Sequence, residues 1–124
     1  MRYLLPVVVL HLAFVVHARG EDSPAVKPPQ PLVFEKDIRP IFKAKCFRCH
    51  GEKSQKAELN LSAAAGVLAG GESGEVITPG DVDQSLLLDL VRDGDMPPEE
   101  KERLSSEQVR LIETWIQQLS LIHI

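Results

Sequence analysis

Basic charge, aromatic side chains and cysteine are all scarce in this 124-residue chain. Lysine and arginine number 14 against 18 aspartates and glutamates, a net of −4. That balance leaves no excess for the basic stripe of a nucleic-acid-binding domain, so no nucleic-acid partner is expected. Four Phe, one Trp and one Tyr are few for the core of even one small domain. Two cysteines three positions apart cannot build a disulfide framework. The glycines between Gly66 and Gly74 match neither the dinucleotide fingerprint nor the phosphate loop and read as a loop. What is present, 44% hydrophobic and 26% charged residues, suits one globular domain.

The apolar run from Leu4 to Val16 follows Arg2 and ends at Ala18-Arg19-Gly20, with small residues where a signal peptidase cuts. Residues 1–20 therefore read as a secretory signal peptide, too short for a comfortable membrane span; a retained N-terminal anchor is the alternative. Loss of Arg2 and Arg19 leaves 12 basic residues against 18 acidic, a net of −6. It also leaves Phe34, Phe42, Phe47 and Trp115 as the aromatic complement. Residues 21–33 hold four prolines and read as an extended linker. The last six residues, 119–124, resemble translated sequencing-library adapter, with an ordinary apolar helix end as the alternative. The domain is accordingly expected over 34–118, and the natural protein is expected to continue beyond Gln118.

Within that domain the apolar spacing predicts helices. Phe34, Ile38, Ile41 and Phe42 share one helical face, with Asp37 as the expected cap and Pro40 tolerated in the first turn. Leu59 and Leu61 alternate as a very short strand would, and Ser62 opens an alanine-rich helical turn that Gly66 or Gly70 ends. Thr78-Pro79-Gly80 predicts a tight turn, and a helix is expected from about Gln84 to Arg92, capped by Asp83 and stopped at Gly94. The final helix is the best specified. Ser105 and Gln108 make a capping box, Leu104 can staple against Val109, and Val109, Ile112, Ile116 and Leu119 form the stripe, with Trp115 beside it.

Cys46-Phe47-Arg48-Cys49-His50 is C-x-x-C-H, the attachment motif of c-type haem. Two thiols at that spacing can each add to a vinyl group, and the adjacent imidazole then reaches the iron. Such attachment is made outside the cytoplasm, in keeping with the leader. Competing readings are weaker. A zinc site lacks two further ligands, because no cysteine remains and His11 and His17 leave with the signal. A thioredoxin-like pair would adjoin a βαβ pattern, and a plain disulfide is the remaining option in an exported chain. For a sixth iron ligand the mature chain, less its tail, offers no second histidine and one methionine, Met96, in a loop stiffened by Pro97 and Pro98. Met/His ligation is the electron-transfer arrangement; the alternative role for Met96 is filling a gap in the core.

Phe34 to Phe42, the run from Cys46 to Gly51, Leu59-Asn60-Leu61, Gly70 to Gly74, Pro79-Gly80-Asp81 with Ser85-Leu86, Met96-Pro97-Pro98 and Trp115-Ile116 together resemble the planctomycete-type cytochrome c domain. The likeness spans about 34–118. It implies a small, mostly α-helical, class I-like cytochrome c fold, its first and last helices packed together around one haem c. It further implies Cys46 and Cys49 as thioether anchors, His50 as proximal and Met96 as distal iron ligand, and a place at the front of a larger exported protein. The expected function is one-electron transfer, periplasmic or at the cell surface, as a carrier and not an enzyme. A redox partner protein or a downstream catalytic domain is the expected partner. The alternatives are a haem enzyme or gas-binding sensor with labile Met96, and a haem-stabilised interaction module.

Charge is divided along the chain. Lys36 to Lys56 holds seven basic residues against Asp37 and Glu52, while Glu72 to Glu102 holds ten acids against Arg92 and Lys101. Solvated surface is the plainer reading, and a dipolar docking face for a redox partner the sharper one. Arg48 and Arg92 are the candidates for pairing with haem propionates.

Overall fold

Phe34, Ile38, Ile41 and Phe42, the residues that share a face by spacing, are all buried. The computed structural model describes residues 30–119, together with Pro6, Val9, Leu10 and residues 12–14. Most of the predicted signal peptide, most of the predicted linker and the tail beyond Leu119, including His123, lie outside the described residues.

A π-helical turn at Phe34–Ile38 runs directly into α1 (Arg39–Lys45). Pro40 supplies the physical reason for the wide turn. It has no N–H for the carbonyl four residues back and its ring crowds that carbonyl, and a π turn relieves both. Asp37 is thus not the cap that its position predicts. It lies within the turn, and its carboxylate accepts the Val33 N–H at 2.7 Å. After α1 come α2 (Phe47–His50), a left-handed turn at Lys56–Glu58, α3 (Ala64–Ala69), α4 (Leu86–Asp93), a 3₁₀ turn at Glu100–Glu102 and α5 (Ser106–Gln118). The fold is mostly α, and the described residues contain no strand. Leu59 and Leu61 lie in a loop instead, with the Leu61 N–H donating to the His50 carbonyl at 2.9 Å.

The ends of the domain meet. Phe34 packs between Phe42 and Trp115, with ring centroids 6.1 Å and 5.3 Å away. Trp115 is therefore central to the core, while Val109, expected on the stripe, is only half-buried. Leu32, in the predicted linker, packs on the core, and its N–H donates to Gln118 Oε1 at 2.7 Å. Leu119 is buried in the same cluster. The Ser105–Gln108 capping box forms in both directions, at 3.2 and 2.9 Å.

α4 begins two residues later than expected because Ser85, not Asp83, stands at its start. Ser85 is fully buried; its hydroxyl accepts the Thr78 N–H at 3.1 Å and donates to the Asp81 carbonyl at 2.7 Å. Asp81 in turn accepts the amides of Asp83 and Gln84. The Gly80 N–H then reaches the Ile116 carbonyl at 2.8 Å, so this polar knot ties the 78–81 turn and α4 to α5. α4 ends at Gly94 in a left-handed conformation that suits glycine, and α3 ends at Gly70, the later of the two expected stops.

Replacing Ser85 with Ala removes the partner of the Thr78 amide and of the Asp81 carbonyl, in two part-buried hydrogen bonds. Urea unfolding of Ser85→Ala is expected to show a loss of about 1–3 kcal/mol with an unchanged m-value. A loss below about 0.5 kcal/mol would show that water replaces the hydroxyl.

Candidate functional site

The Cys46–His50 segment winds through one helical turn. The amides of Cys49 and His50 both donate to the Cys46 carbonyl, at 3.1 and 2.8 Å, and the Cys46 N–H donates to Phe42 at 2.7 Å. Residues at i, i+3 and i+4 lie on one side of such a turn, which puts Cys46, Cys49 and His50 together. The turn is a direct extension of α1, whose face is anchored in the core.

These three side chains line a cleft of about 460 Å³ together with a second wall that includes Met96, Pro97 and Pro98. A second cleft of about 210 Å³ shares Cys46, His50, Ala57 and Met96 with the first and continues inward between Phe42, Leu59, Leu61, Leu87 and Val91. All four residues singled out by the sequence therefore border one space, although Met96 lies 46 positions beyond His50 in the chain. Met96 is placed by the end of α4. Its N–H and that of Asp95 both donate to the Leu90 carbonyl, at 3.1 and 3.0 Å, and Pro97, joined to it by a cis peptide bond, is buried. At 40% exposed, Met96 does not fill a core gap.

His50 Nδ1 lies 2.9 Å from the Lys56 carbonyl oxygen. A carbonyl can only accept, so Nδ1 carries the proton and Nε2 keeps the lone pair that a metal needs. No sequence signal marks this partner, because the acceptor is a backbone atom. The two cysteines are not disulfide-bonded to one another. Burial, reinforced by the neighbouring Cys49 and opposed by Lys45, pushes the Cys46 thiol up from 9.0 to about 12. Among the described residues no cluster of three or more His, Cys, Asp or Glu could hold a bare metal ion.

The residues present fit a haem of the c type. Two thiols, a correctly protonated imidazole and a thioether face a common space whose inner part is apolar. Cys46 and Cys49 could hold it covalently, with His50 and Met96 toward its iron.

The charged stretches converge at the rim. Arg48 makes a two-pronged pair with Glu99, at 3.1 and 3.3 Å, and Lys45 lies 3.9 Å from Glu102. Both pairs bridge the cysteine segment to the far wall. Arg92 is turned to α5, 2.9 Å from Glu113, and does not border either cleft. Arg39, which the sequence did not single out, donates to the Ser62 carbonyl at 3.0 Å and lies over the Phe47 ring at 5.3 Å, steadying the turn that carries the motif.

Residues 46–100 match the family model described as planctomycete cytochrome C, the family that the sequence resembles. No curated protein and no solved structure matches the chain.

A buried, protonated thiol reacts slowly with electrophiles, since the thiolate is the nucleophile. In the haem-free protein, iodoacetamide labelling of Cys46, read by peptide mapping, is expected to accelerate about tenfold per pH unit from about pH 8 upward and to continue past about pH 10. A plateau near pH 9 would show that burial does not act on this thiol.

Proposed function

Taking residues 46–100 as a planctomycete-type cytochrome c segment, we propose that this domain carries one covalently bound haem c and passes single electrons. The observation that carries the reading is the convergence of Cys46, Cys49, His50 and Met96 on one partly apolar space. When bound, the haem supplies an iron that cycles between the ferrous and ferric states.

In this reading each of the chain's own residues has a role that its placement supports. Cys46 and Cys49 would hold the haem as thioethers, each S–H bond giving way to S–C and C–H bonds across a vinyl group, so that no oxidant would be consumed. His50 offers Nε2 because Nδ1–H is engaged by Lys56, and the carbonyl makes the imidazole a stronger donor. Met96 would offer a thioether from the Met96-Pro97-Pro98 wall, a ligand that favours the reduced iron. His50 and Met96 would hold the iron between them and leave no open position for a substrate, as suits a carrier more than a catalyst. Leu59, Leu61, Leu87 and Val91 keep water from the inner part of the space.

The signal peptide of residues 1–20 sends this module out of the cytoplasm, to the periplasm or cell surface, where haem attachment takes place. No helix among the described residues is long and apolar enough to cross a membrane. A redox protein or a further domain of the same protein exchanges electrons with it.

Co-expression with the haem-attachment machinery is expected to give a protein one haem heavier, with the visible spectrum of a six-coordinate c-type cytochrome. Cys46→Ala with Cys49→Ala is expected to abolish covalent attachment. Met96→Ala is expected to remove the near-infrared sulfur–iron band and lower the midpoint potential by roughly 0.1–0.3 V, part of the range that axial ligands command. An unchanged Met96→Ala spectrum would remove Met96 from the iron, and a chain that leaves the machinery without a mass increase would overturn the reading.

A further inference from the structure

Two features remain without a role: the Gly70–Gly74 loop and a left-handed stretch of backbone at Ala57 and Glu58. Ala57 has φ 56° and ψ 27°, and Glu58 has φ 57°. Side-chain-bearing residues persist there only when their surroundings over-determine them. Here both neighbouring carbonyls are held. The Lys56 carbonyl accepts from His50 Nδ1, and the Ala57 carbonyl accepts the Glu72 N–H at 2.8 Å. The group that donates to Ala57 belongs to a tight turn in which Gly71 and Gly74 exchange N–H and carbonyl bonds, both at 3.0 Å.

Gly71 makes this arrangement possible. A Cβ there would stand 2.5 Å from the Ala57 carbonyl oxygen and 3.4 Å from Leu59 Cβ. The first separation is far inside any real contact, and the atom met is backbone, which cannot swing aside as a side-chain end can. We infer that Gly71 is a positioning residue for His50: its bare backbone lets the glycine turn seat on the Ala57 carbonyl, which fixes the left-handed turn and holds the Lys56 carbonyl against the imidazole. The inference rests on the reading of His50 as an iron ligand. A residue at 71 with a Cβ displaces Ala57, loosens the adjacent Lys56 carbonyl and weakens its bond to Nδ1–H. The imidazole then donates less strongly to the iron, which disfavours the ferric state and raises the midpoint potential.

The test compares haem-loaded wild type, Gly71→Ala and Ser85→Ala, the last as a destabilised variant whose change is in the polar knot before α4. The expected result for Gly71→Ala is a higher midpoint potential and solvent exchange of the His50 Nδ1 proton, followed by NMR, at least ~10-fold faster. Ser85→Ala, whose knot acts on the Met96 side through α4, is expected to leave the Nδ1 exchange at its wild-type value. If Gly71→Ala fails to accumulate, Glu72→Pro removes the amide that Ala57 accepts without adding an atom at Gly71, and the same two shifts are expected. Wild-type potential and exchange in whichever variant is obtained, or an equal acceleration of the Nδ1 exchange in Ser85→Ala, would overturn the inference and leave Gly71 a turn residue only. A wild-type protein without covalent haem defeats the haem-binding reading itself, a failure seen before any variant is compared.

Discussion

Phe34 lies between Phe42 and Trp115, and the rest of the domain depends on that packing. It joins the first helical segment to the last, and it does so with three of the four aromatic residues that follow the predicted leader. Each such ring contributes roughly 1.5–3 kcal/mol when removed from water, a large share of what holds a domain this small. The Cys46–His50 turn grows directly from α1, so its placement is inherited from this contact. Because α4 is tied to α5 through Gly80 and through the Arg92–Glu113 pair, the Met96 wall is referred to the same helix. Both sides of the cleft therefore share one support.

How much of this is legible in the residues depends on where the information resides. Burial of Ile38, Ile41, Phe42, Ile112 and Ile116 follows from apolar spacing, and the start of α5 follows from side chains that carry their own capping chemistry. The cysteine motif is legible because its geometry is local, spanning one turn. Met96 stands out in the sequence only as the one remaining candidate ligand, and the chain brings it to the same cleft as His50 through the seating of α4. Illegible features involve backbone groups. The wide turn before Pro40, the left-handed Ala57 and Glu58, and the Lys56 carbonyl at His50 depend on atoms that every residue has. Ser85 is an intermediate case: the resemblance quoted it, but nothing in its neighbours announces a buried hydroxyl serving two sides of a turn.

Charge taught a different lesson. Counted along the chain, basic and acidic stretches look like opposed poles. Folded, Arg48 meets Glu99 and Lys45 meets Glu102 at the rim of the cleft. Exposed pairs of this kind contribute little each, typically under about 1 kcal/mol. Their importance is geometric, since they span the two walls that present the candidate ligands. The net charge of a segment is thus a poor guide to the field outside it once its partners are close by.

The convergence of so many ties on α5 also distributes the entropy of folding unevenly. The Leu32 amide and the Gln118 side chain close a span of 86 positions. The cost of closing a flexible chain rises only with the logarithm of its length, so this long span is barely dearer than one half its size. With α5 in place, seating the 78–81 turn and α4 requires ordering only the segments between fixed points. Once that long closure is made, the cysteine turn, the glycine loop and the methionine wall lie between points it already holds, and each needs only a shorter closure of its own.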